Sequence, residues 1–132
     1  VLGGEGWSSN LAVATPAADA MVDDSAVHHL EVGGEPRWVL VQSEPLFGKH
    51  ILVRTARHPW GPWSSPQRVY RVPRVDRSRN YFTYAHPELS SAGKLLVSYV
   101  INSNDFWEAA ADAAIYRPRF IRISLDAIEI DD

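Results

Sequence analysis

Apolar and polar residues alternate through Val27–Val32, and the run Gly33-Gly34-Glu35-Pro36 that follows reads as a turn. Arg37–Ser43 (RWVLVQS) is mostly apolar, as expected of a strand covered on both faces. Glu44–Lys49 turns the chain, and His50–Ala56 (HILVRTA) forms a third strand. HPWGPWSSP is too rich in Pro and Gly for the interior of an element, and Gln67–Val72 alternates as a fourth, exposed strand. The second half repeats this order with Tyr81–Leu89, a Ser-Ala-Gly turn, Leu95–Asn102 and Arg117–Leu125. Asn104–Ala114 is the one helix-like stretch and is too short to stand alone. The N-terminal GEGWSSN reads as a strand edge and turn, and Leu11–Asp24 as a loop leading to the first strand.

The pattern predicts an all-β chain of antiparallel meanders, the size and order of propeller blades. His29-Leu30-Glu31 recurs as His86-Pro87-Glu88, 57 residues later (86 − 29), and the same offset sets Trp38–Val41 against Leu95–Ser98. A repeated sheet accounts for that spacing. Residues 1–25 then belong to the outer strand and connection of a preceding blade. Residues 26–74 form one blade, and 75–132 the last blade, with a helical insertion near 105–114. About two and a half blades are too few to close a ring. The missing blades, self-association or a β-sandwich are the alternatives.

Composition narrows the function classes. Of 132 residues, 45% are hydrophobic and 22% charged, which fits a folded domain. A net charge of −3 argues against nucleic acid as partner, and no apolar run is long enough for a membrane helix. Without cysteine there is no thiolate chemistry. No leader is visible, but the chain starts at Val1 rather than Met, so removal of an upstream segment is expected.

ILVRTARHPWGPWSSPQRVY, YAHPELSSAGKLLVSYVINSNDF and IYRPRFIRISL, in that order, resemble the last two blades of secreted bacterial five-bladed β-propellers. Many of those are known only as domains of unknown function. They are similar in turn to the furanosidase-type glycoside hydrolases, the clan of arabinanases, xylosidases and levansucrases. The resemblance covers roughly residues 26–125. It implies an extracellular protein that processes or binds carbohydrate. In that clan the catalytic base is an aspartate of the first blade, which a chain of last blades lacks.

Several residues are candidates for contact with such a ligand. On a strand, His29 and Glu31 share a face, as do His86 and Glu88, with roughly 6.5–7 Å between positions two apart. If both strands line a channel, Glu88 and His86 are the candidate catalytic pair, and His29 and Glu31 bind substrate beside them. Imidazole and carboxylate also suit a metal, so a channel ion such as calcium is compatible, although no cofactor is expected. The plain alternative is that these groups hold neighbouring sheets together. Glycoside hydrolysis needs two carboxylates, and Glu31, Glu88, Glu44 and Asp105 are available. Asn102, Asp105 and Trp107 combine hydrogen-bonding edges with a ring, as sugar sites do, although the Asn and Asp also suit a turn. Arg119 either joins them or pairs with Glu88 across the sheet. Trp38 is expected in the core, and Trp60 and Trp63 either staple a turn or offer a stacking platform. The five arginines of Arg68–Arg79 are read as a solvated strand with ion pairs.

Overall fold

The computed structural model describes residues 2–3, 6–22, 24–73 and 77–130. A short hairpin comes first, β1 (Leu2–Gly3) with β2 (Gly6–Trp7). Four strands then pair antiparallel in chain order: β3 (Ala26–Val32), β4 (Glu35–Ser43), β5 (His50–Ala56) and β6 (Gln67–Arg71). Three more make a second antiparallel sheet: β7 (Ser78–Ser91), β8 (Lys94–Ser103) and β9 (Pro118–Ser124). The six-residue α1 (Phe106–Ala111) sits in the β8–β9 connection. The chain is all-β, with two open antiparallel sheets, and no described helix is long and apolar enough to cross a membrane.

The β3–β4 turn is tighter than the sequence suggested. Gly33 and Gly34 have φ of 58° and 83°, and Val32 pairs with Glu35 across them. Two left-handed residues complete a two-residue hairpin, so Glu35 and Pro36 already belong to β4. On β8 burial alternates without a break, with Leu95, Val97, Tyr99 and Ile101 facing inward. These join Val39, Val41, Ile51, Val53 and Ile123 in one core shared by both sheets.

The outer face of the first sheet is also covered, as expected for RWVLVQS. Leu40, Gln42 and Arg54 are buried there, Gln42 donates to the Ala20 carbonyl (3.0 Å), and Arg54 pairs with Asp19 (2.8 Å). The outer face of the second sheet is more open, with Tyr84, Leu89 and Phe120 exposed. β3 and β7 lie against each other, while β6 and β9 form the far edges and expose Arg68, Arg71 and Arg122.

The 57-residue register is one residue out in the strand pairing. His29 pairs with Trp38, but His86 pairs with Leu96 rather than Leu95. A 57-residue offset therefore matches the half-exposed Trp38 with the buried Leu95. The cause is an irregularity after His86. Ser90 Oγ donates to the His86 carbonyl and accepts from Leu96 N, standing in for strand ladder bonds.

Candidate functional site

A concavity opens where β4 ends beside the first half of β7. It encloses about 710 Å³, within the range of small-molecule sites. Its walls come from the segment before β3 (Met21, Asp24), the β4–β5 loop (Glu44, Leu46, Phe47), Arg79–Phe82 of β7, and Asn102 of β8.

A β-bulge builds one wall. Tyr81 pairs with Val100 but Tyr84 with Ser98, so β7 carries one extra residue, and Phe82 takes φ 52° to absorb it. The break falls directly after Tyr81, and the four consecutive residues Arg79 to Phe82 line the cleft. The opposite wall has the same character. Leu46 and Phe47 are both left-handed (φ 56° and 55°), a conformation that bulky side chains rarely adopt and that clusters at functional sites.

Asp24 fixes the base of the cleft. Its Oδ2 accepts from Thr83 N (3.1 Å) and Ser43 Oγ (3.3 Å), and the Ser43 and Thr83 hydroxyls are 2.7 Å apart. This buried group ties β4 to β7. Beside it, Asn80 is 1% exposed, and neither its amide nitrogen nor its oxygen has a partner among the described residues. Asn102 donates to the Tyr81 hydroxyl (3.1 Å), and its own oxygen is buried and unpartnered. Buried polar atoms are nearly always satisfied, so these three call for a water or a ligand group. Aromatic rings stand next to them: Tyr81 meets Phe82 edge-on at 4.8 Å, and Phe47 lies 5.1 Å from the Arg79 guanidinium.

Glu44 lies at the mouth. Its Oε2 accepts from His50 Nδ1 (2.8 Å), and its Oε1 from Arg68 Nη2 (2.9 Å) and Nε (3.1 Å). Burial pushes its pKa up, but hydrogen bonds and charge from His50 and Arg68 outweigh that and hold it below the usual Glu value. A depressed carboxyl contributes stability in full above the unfolded pKa, about 4.3, and loses it as pH falls through the folded value. Melting temperature should therefore fall less steeply for Glu44→Gln than for the parent chain on acidification below that point. Equal slopes by differential scanning calorimetry would show the pairing to be inert.

Of the residues singled out from sequence as substrate contacts, Asn102 alone lines this cleft; Glu44, weighed as a carboxylate, joins it. His86 and Glu88 are on the outer face of the second sheet. The His86 Nε2 is 2.7 Å from Ser98 Oγ, and its Nδ1 is 3.6 Å from Glu88 Oε1. His29 is exposed and packs at 5.1 Å against Trp38, its cross-strand partner, which is only half-buried. Glu31 borders a separate shallow hollow with Pro87 and Ser90, where the two repeats meet. Asp105 caps α1, accepting from Trp107 N (2.9 Å) and Glu108 N (3.4 Å), and Trp107 is 78% exposed. Arg119 donates to the Ala114, Ile115 and Arg117 carbonyls, while the Glu88 carboxylate lies beside the His86 ring. Trp60 is exposed and stacks on His58. Arg68 is paired as read; Arg74 lies outside the described residues. Among the described residues no three His, Asp or Glu gather as metal ligands.

Sequence reasoning missed Asp24, Asn80 and the Arg79–Phe82 wall. The available signal was Asn80, a carboxamide at an inward position of a strand otherwise flanked by aromatics.

Fold and cleft together define a two-sheet antiparallel β domain with a polar, aromatic-flanked site at one end. The chain belongs to the family described as Domain of unknown function (DUF5005), whose model matches residues 2–125. It is similar in structure to a "putative hydrolase" from Bacteroides ovatus ATCC 8483, with a TM-score of 0.61 and 24% identity. The match covers 74% of this chain and 25% of that protein, so the chain spans about a quarter of its neighbour's length. That likeness establishes the fold. No curated protein matches the chain.

Proposed function

We propose that this chain is the sugar-binding part of a carbohydrate-active, hydrolase-like β-propeller working outside the cell on a polysaccharide. The observation that carries the reading is the cleft. Its unpartnered carboxamide atoms on Asn80 and Asn102 match hydroxyl groups, and Tyr81 and Phe82 offer ring faces beside them. The meander order of both sheets suits consecutive blades, and a match to a quarter of a longer protein suits a portion of a ring. The hydrolase designation of that neighbour favours the same class.

The carboxylates favour binding over complete catalysis. Asp24 is engaged by Thr83 and Ser43, and Glu44 by His50 and Arg68. A glycosidase needs one carboxyl free as acid and one as base or nucleophile. On this reading the reacting pair is completed by residues outside this chain, with His86 and Glu88 facing a neighbouring sheet. The chain alone should bind oligosaccharides without cleaving them. Titration calorimetry against a glycan panel tests this: Asn102→Ala should weaken binding about tenfold, the worth of one hydrogen bond, with a cooperative melt lowered by no more than the loss of its bond to Tyr81. Failure of every glycan to bind would refute the sugar reading.

A further inference from the structure

We infer that the cleft selects an acidic sugar, gripping the carboxylate or sulfate ester of the glycan with the guanidinium of Arg79; this rests on the carbohydrate reading above. Arg79 is held at two points. Its Nε donates to Asn104 Oδ1 (2.9 Å), and its face lies over the Phe47 ring (5.1 Å). The two terminal nitrogens have no partner among the described residues, although the side chain lines the cleft. A guanidinium anchored at Nε and stacked on a ring has lost little further freedom to lose, and its remaining fork matches an oxyanion in two parallel bonds.

Two carboxylates also line the cleft, and each has an oxygen engaged by other groups. Glu44 is paired with the Arg68 guanidinium, which offsets its charge, and its other oxygen is bonded to His50. Asp24 is the second carboxylate; its Oδ2 is held by the neutral donors Thr83 N and Ser43 Oγ, which occupy that oxygen and leave its charge in place. Among the described residues that line the cleft, Arg79 is the one cation, and no carboxylate among them is paired with it. Next to it, the unpartnered Asn80 amide and Asn102 oxygen can take the hydroxyls of the same ring. A neutral sugar would satisfy the amides and leave the guanidinium unused.

The test is binding of the whole chain to a panel of oligosaccharides with three arms: uronate-containing, sulfated, and neutral, the first including a polyuronate and its methyl ester. An acidic arm should bind, methyl esterification should cost at least tenfold in affinity, and Arg79→Gln should cost the same while leaving melting unchanged. Arg79→Lys keeps the charge without the fork and should recover only part of the affinity. Whichever acidic arm binds identifies the source of the anion. Binding confined to neutral glycans, or equal affinity of parent and Arg79→Gln for an acidic glycan, would overturn the assignment and leave the carbohydrate reading standing. Absence of binding in all three arms would remove both.

Discussion

Asp24→Ala is expected to destabilise the domain by about 2–3 kcal/mol, read from urea unfolding with an unchanged m-value. The carboxylate is 8% exposed and accepts from Thr83 N, on a residue that is fully buried. Alanine leaves that N–H without an acceptor, and an unsatisfied buried donor costs about 1–3 kcal/mol. It also frees Ser43 from its link to β7 through Asp24. Removing a buried charge returns part of the loss, because the carboxylate no longer has to be desolvated. Asp24→Asn keeps an acceptor oxygen and should cost clearly less than alanine. If the two variants melt together, the carboxylate is not what joins the sheets at this end.

Leu95→Ala should cost about 2–5 kcal/mol, the range for emptying a leucine site in a packed core. Leu95 is 1% exposed, pairs with Ile123 across the ladder, and belongs to the core that both sheets share. Leu89, on the preceding strand, is 62% exposed, so Leu89→Ala should stay within about 0.5 kcal/mol. The contrast measures whether the inner face of β8 carries the fold. Comparable losses at both positions would mean that the outer face of the second sheet is covered in solution.

What could be read from the chain divides along physical lines. β3, β5 and β8 were legible because each has a period-two or continuous apolar pattern that only a strand satisfies. α1 was placed because Glu108–Ala111 are good helix formers, whereas the capping role of Asp105 was not read. The one-residue slip between the repeats was not, because it depends on Ser90 replacing ladder bonds after His86, which leaves no mark on hydrophobicity. The cleft was hidden for a related reason. Asp24, Asn80 and Asn102 are far apart in sequence, and their burial arises where a loop and two strands converge. Phe82 lines the cleft at a bulge, and local propensity gives no hint of a left-handed phenylalanine. Asn102 was found because its neighbours Asn104 and Asp105 made a polar cluster, although those two serve Arg79 and the cap of α1. The His-x-Glu pairs drew notice by recurrence, and recurrence reports a repeated sheet more directly than a shared site.

The arginine-bearing far edges have a consequence for assembly. β6 is five residues long and exposes Arg68 and Arg71, β9 exposes Arg122, and the other two edges, β3 and β7, lie against each other. A short β6 bearing Arg71 and a β9 bearing Arg122 disfavour pairing with a further strand of the same kind, while the charge of Arg68 is offset by Glu44. Molecules that meet are steered away from edge-to-edge polymerisation. Stacking against the open outer face of the second sheet, where Tyr84 and Phe120 are exposed, is the contact these edges leave free.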